Sequence, residues 1–329
     1  MSIFGTKAVA VSAAITLSLL IGTNGIAQAA PTETVTNLND SGAGSLRQAL
    51  ADVDAGGTVT FDSSLSGTID LQTALEADKS FTLTGPGARQ VTIDANNRDN
   101  ILVIGSNTPG EYVVEVEGLT FFRGAARNPD AVSPTTWRGG GGIAFVSGNA
   151  VTVRDSVFRQ NLSSGGDLDP DPPIRAGGGG IEVEGCTGSN DGATLTIESS
   201  LFVRNGAFPE GGAVAMRSKR ALTITDTEFR NNVGEGGQGG GALLVHPRYT
   251  NADPACVDYK DADLPSTDPV TITDSLFTGN GGQADNDGPA ISFQYGVGPK
   301  TIQRTEFRNN GGDGRSGALL DNSPSAMFV

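Results

Sequence analysis

The chain is 329 residues long, carries a formal net charge of −15 and is only 18% charged. So acidic a balance excludes nucleic acid and anionic membrane surfaces as general partners, since releasing counterions requires clustered cations. The 47 glycines follow no collagen period and accompany Val, Ile and Thr runs, which excludes a triple helix and points to short strands between tight turns.

Lys7 precedes an apolar run at 8–22, and Ala27-Gln28-Ala29 closes it with a small-x-small cleavage pattern. Residues 1–29 therefore read as a secretory signal, because the run is shorter than the ~20 residues that span a bilayer. The mature chain is expected to be secreted, extracellular or at the cell surface, with no membrane insertion. Residues 30–62 read as an N-terminal cap. Ser45 can cap a helix, with Gln48 completing a capping box, and Leu46, Ala49, Leu50 and Val53 fall on one helical face. Such a helix, just before a first strand at 58–61, would cover the open apolar end of a solenoid. Further strands are expected at 67–72, 80–85, 91–95, 100–105 and 112–122.

Residues 63–329, most clearly 113–320, repeat. The pattern Phe-x-x-Asn occurs at Phe158 and Asn161, Phe202 and Asn205, Phe229 and Asn232, Phe277 and Asn280, and Phe307 and Asn310, with a degenerate member starting at Phe122. A period-two run such as VTVRDSV or LTITDTE precedes the Phe, and a glycine-led apolar run such as GGGGIEVE or GGGALLVH follows most of them. The shortest spacing, Phe202 to Phe229, marks one complete unit, and longer spacings contain inserted loops. Period-two alternation identifies strands, and units of this length identify a solenoid.

The expected fold is therefore all-β, a right-handed parallel β-helix of about eight to ten coils stacked ~4.8 Å apart. Each Phe should point inward and stack on its counterparts. Each Asn should take the left-handed backbone of a corner and bond its amide to the next Asn, with glycines opening the following turn. After the run at 316–329 no capping helix or anchor motif follows. The last coil is expected either to pair end to end with another chain or to continue in a longer one.

The alternation of GGAV (211–214), FRNN (229–232), GGAL (240–243) and FTGN (277–280) resembles the repeats of polymorphic outer membrane proteins, which occur in surface adhesins and autotransporter passengers. The opening VTNLNDSGAGSLRQAL (35–50) is similar to the N-terminal cap of secreted bacterial parallel β-helix proteins. The resemblance implies a surface or secreted β-helix whose role is adhesion and whose partner is an extracellular glycan or protein surface. Anchored members of that family carry a C-terminal barrel, which this sequence does not contain.

Parallel β-helices also host enzymes acting on acidic polysaccharides. A pectate-lyase-like site would combine calcium on Asp/Glu clusters with an Arg that abstracts a proton. Arg123, Arg159, Arg230 and Arg308 each follow a Phe and are expected on one outward face about 4.8 Å apart, where they could track an anionic glycan. Glu228 and Glu306, two residues before Arg230 and Arg308, favour instead a surface ion-pair ladder. A hydrolase is disfavoured, because the single histidine, His246, stands alone before Pro247 and no paired-carboxylate or Gly-x-Ser-x-Gly element accompanies it. Asp167, Asp169 and Asp171 alternate as calcium ligands can. Two further loops hold Asp253, Asp258, Asp261 and Asp263, and Asp285 and Asp287; solvated charge is the simpler reading for all three. No motif demands a cofactor, and calcium is the one candidate. Cys186 and Cys256, an even pair in an exported chain, suggest a disulfide, with two unpaired thiols as the alternative. Trp137, Tyr249, Tyr259 and Tyr295 lie in or near loops and are candidate contact residues. The expected function is an adhesion or interaction module without catalysis. A calcium-dependent polysaccharide lyase and a structural spacer of the envelope are the alternatives.

Overall fold

Alternating runs bury every second side chain, and the burial of Leu222–Thr225 and Val270–Thr273 follows that rule residue by residue. A computed structural model describes residues 31–106, 108, 110–127, 139–164, 177–184, 192–208, 211–234, 239–246, 266–282, 289–294, 296–311, 318–323 and 327–328. Their strands form four parallel sheets: sheet I with ten strands, sheets II and IV with eight each, and sheet III with four. One coil visits them in order, as in Leu222–Thr225, Glu228–Arg230, Val233–Gly234 and Leu243–Val245. Every element then pairs with its counterpart one coil on: Val151 lies beside Leu195, Leu195 beside Leu222, and Leu222 beside Val270. The described residues form a parallel β-helix of eight coils, one for each strand of sheets II and IV.

The phenylalanines form the interior column the repeat implies. Phe121, Phe158, Phe202, Phe229, Phe277 and Phe307 stack with centroids 4.6 to 5.1 Å apart and planes within 12° of parallel. Burying each such ring contributes roughly 1.5–3 kcal/mol, and stacking adds about 0.5–1.5 kcal/mol per pair. The first member differs from expectation by one residue. Phe121, not Phe122, pairs with Phe158, and the run 112–122 is two strands, Val113–Glu117 and Thr120–Phe122, broken at Gly118 with φ 68°.

The asparagines make a second column. Asn161 donates from Nδ2 to Oδ1 of Asn205 at 3.0 Å, Asn205 to Asn232 at 3.0 Å, Asn232 to Asn280 at 2.9 Å and Asn280 to Asn310 at 3.1 Å. The other Nδ2 proton goes back to the carbonyl of a column Phe, as from Asn205 to Phe158 and Asn232 to Phe202, both at 3.0 Å. Each Oδ1 also accepts the backbone N–H of the preceding asparagine. An interior amide thus uses all of its hydrogen-bonding capacity inside the core. The left-handed corner, however, is taken by the residue before the asparagine: Gln160, Arg204, Asn231 and Asn309 have φ between 50° and 55°. The buried Asn is needed for its amide, and the corner only requires a residue that tolerates the conformation.

A third column was not anticipated. Ser156, Ser200, Thr227 and Ser275 stand two places before the Phe. Each hydroxyl donates to the carbonyl two residues back, at 2.7 to 2.9 Å. The same oxygens accept the backbone N–H from one coil before, at 3.2 to 3.4 Å. They fasten the sheet I–sheet II corner, where Asp155, Ser199, Asp226, Asp274 and Arg304 take φ of 45° to 52°.

At the N-terminal end the helix spans Leu46–Asp52, with Leu46, Ala49, Leu50 and Val53 buried. Ser45 Oγ accepts from Gln48 N at 3.2 Å, but the Gln48 side chain bonds Asp52 instead of returning to the cap, so the box is half made. An unexpected strand, Thr32–Val35, precedes the helix and pairs with Gly57–Phe61.

Asn232→Ala is expected to cost about 3–5 kcal/mol in equilibrium denaturant unfolding, because it orphans several buried donors and acceptors worth about 1–3 kcal/mol each. Asn231→Ala, which touches only the corner, should cost about 1–2 kcal/mol. Equal losses would remove the distinction between amide and corner.

Candidate functional site

Two outward features carry charge in an ordered way. The first is the outer face of sheet II. Register places Arg159 beside Phe122 and Val203, Arg230 beside Val203 and Thr278, and Arg308 beside Thr278. The predicted single file of arginines one coil apart is therefore interrupted. Arg159, Arg230 and Arg308 occupy alternate coils, and Arg123 belongs to the corner position, the counterpart of Gln160 and not of Arg159. The one-residue shift at Phe121 is the cause.

Glu228 and Glu306 each bond the arginine two residues on, so Arg230 and Arg308 form the surface ion pairs the sequence implies. The Arg308 guanidinium holds Glu306 below the usual carboxylate range through that bond, and Arg304 does the same to Asp274 from the next coil, at 2.6 and 2.7 Å. These groups are solvent-exposed, so the pairs add little stability. Arg159 differs because Val157 replaces the acid, and its guanidinium lies 4.2 Å from the Phe122 ring centroid. Arg123 covers the same ring at 4.6 Å and is held by buried Asp94 and by Asn96.

The second feature lies along sheet IV, whose strands are buried on both faces, as in Ile143–Phe145, Val214–Met216 and Leu243–Val245. Glu182 faces outward there, 0% exposed, and pairs with Arg217 Nε at 2.8 Å. The glycine-led entry makes its room: a Cβ at Gly139 or Gly177 would stand 1.1 or 1.4 Å from Glu182 Oε2. Asn100 secures the same bend by donating to the carbonyls of Gly139 and Gly140. The next position continues coil by coil through Glu184, Arg217 and His246. His246 thus stands one coil from the buried Arg217. Lys300, fully buried, has Asp321 at 3.4 Å and Ser323 at 2.5 Å. Chemically, the Glu182–Arg217 pair is closed to solvent and acts as an internal fastening of the bend.

Sequence reasoning missed Glu182 and Arg217. Register places Glu182 in line with Glu76, Val103, Ala144, Ala215, Leu244 and Ser292 of other coils, and only that pairing marks its place as one the fold buries. Of the other predicted site residues, Trp137, Tyr249, Tyr259, Tyr295, Asp167, Asp169, Asp171, Cys186 and Cys256 lie outside the described residues. Among the described residues, no group of three or more His, Cys, Asp and Glu is placed to hold a metal ion, and no helix is long and apolar enough to cross a membrane. No protein-family model matches the chain, and no curated protein is similar enough to count as a relative.

Glu182→Ala should lower unfolding stability by about 3–5 kcal/mol by removing the carboxylate that bonds Arg217 Nε inside the closed bend, and joint Glu182→Leu and Arg217→Met should recover most of it. Glu228→Gln on the exposed ladder should change stability by less than about 1 kcal/mol.

Proposed function

We propose that the protein is an extracellular or cell-surface interaction module of the adhesive kind, working without catalysis of its own. The observation that carries this reading is where the coils vary. From the fourth coil on, the stretch from sheet I through the column Phe to the Asn has the same length each time: Val151, Phe158 and Asn161 recur as Leu195, Phe202 and Asn205, then as Leu222, Phe229 and Asn232. The large insertions, at 128–138, 165–176, 185–191 and 247–265, all fall at the two bends flanking sheet IV. A constant arc with length variation limited to the connections that enter and leave sheet IV is the arrangement by which scaffolds present binding residues. Those insertions hold Trp137, Tyr249 and Tyr259, the candidate contact residues, and Asp167, Asp169 and Asp171, the candidate calcium ligands. The similarity of the GGAL and FRNN motifs to adhesin repeats supports the same reading.

Purified protein applied to glycan arrays and to extracellular-matrix proteins should bind, while incubation with polygalacturonate and calcium should give no rise in ultraviolet absorbance from unsaturated product. A calcium-dependent rise, abolished by replacing an outward arginine, would establish the lyase alternative. Silence in both assays would leave the spacer.

A further inference from the structure

On an acidic protein the arginines of the sheet II face are not scattered. The strand position carries Arg159 and Arg230, and the corner position just after it carries Arg123 and Arg204, the latter two at φ 51° and 55°. Taken together they place one guanidinium on each of four consecutive coils: Arg123, Arg159, Arg204 and Arg230, alternating between strand and corner. The interrupted single file is thus a zigzag ridge running parallel to the solenoid axis, rising about 4.8 Å per step. Its ends are internally neutralised, Arg123 by Asp94 and Arg230 by Glu228. Its centre is not: Arg159 and Arg204 have no carboxylate within ion-pair distance among the described residues. The Arg159 guanidinium is positioned by stacking on Phe122. Across the corner, on sheet III, Leu162 and Phe208 leave 37% and 39% of their surface in solvent.

We infer that this ridge binds a linear acidic polysaccharide, lying along the axis with its anionic groups on Arg159 and Arg204 and its sugar faces against the Leu162–Phe208 shelf. An extended polyanion fits because the cations are evenly stepped on a rigid ladder, and because guanidinium groups take carboxylate or sulfate in two-pronged fashion. The net charge of −15 does not forbid this, since repulsion from the rest of the surface is screened beyond about 8 Å at physiological salt. An anionic membrane fits less well: two half-exposed side chains offer too little apolar area for interfacial insertion. Its arginines lie on the constant arc, before the buried asparagines and outside the inserted segments in the sequence, so substitutions there test this surface without altering those segments.

The test measures binding of the full chain by titration calorimetry, using polygalacturonate and heparin as carboxylate and sulfate probes, dextran as neutral control and phosphatidylglycerol vesicles as the membrane source. Arg159→Thr and Arg204→Asn copy what the repeat itself places there, Thr278 and Asn231, so the fold should stand, and unchanged denaturation midpoints verify that. Salt-sensitive binding of at least one soluble polyanion, weakened about tenfold by each substitution and less than twofold by Arg308→Thr, is the expected result. Binding unaltered in the Arg159 and Arg204 variants, equal binding of dextran, binding of vesicles alone, or no binding at all overturns the proposal. Matrix-protein binding that persists in those variants would leave the adhesive reading intact while this surface assignment fell.

Discussion

Parallel pairing at a rise of about 4.8 Å sets each side chain directly over its own counterpart, and nearly everything else in this molecule follows from that. Only groups that satisfy themselves when stacked can recur in the interior. A phenyl ring does so by dispersion and offset stacking. A carboxamide does so because it donates and accepts in one plane, and a hydroxyl does so by donating within its own coil and accepting from the one before. A charge cannot. Lys300 enters the inward column of Val151, Leu195, Leu222 and Val270, and it comes with Asp321 and Ser323 beside it.

Much of this was legible in the amino-acid sequence, because a repeat reports its own structure. Phe and Asn at fixed spacing imply columns, period-two runs imply strands, and the Leu46, Ala49, Leu50 and Val53 face implies the cap. What escaped is instructive. The shift at Phe121 was hidden because Phe121 and Phe122 are adjacent and only cross-coil register separates them. The Ser156, Ser200, Thr227 and Ser275 column was overlooked because serine and threonine next to a turn look like ordinary solvated corner residues, whereas their oxygens are committed to two backbone groups. Glu182 was passed over because one acid in a half-polar strand signals nothing until both faces of that strand prove to be buried.

The same logic separates scaffold from surface. From the fourth coil onward, the arc from sheet I to the asparagine is the part where every inward position must match its neighbours, so it keeps its length and its inward residue types. Freedom is left to outward positions and to the bends beside sheet IV. The arginines exploit the first kind of freedom. Left-handed corners need only a tolerant backbone, so the side chain placed there is open to choice, and at Arg123 and Arg204 it is a cation.

The asparagine column has a chemical consequence of its own. Asn205, Asn280 and Asn310 are each followed by glycine, the dipeptide that in a loose chain cyclises most readily and releases ammonia, ageing into aspartate and isoaspartate. Here the attacking nitrogens of Gly206, Gly281 and Gly311 donate to carbonyls of the previous coil at 2.9, 3.1 and 2.7 Å, and the amides they would attack are held in place by their neighbours. The rod therefore shelters its most perishable bonds by the same contacts that hold it together, so its chemical ageing is slowed for as long as the coils stay stacked.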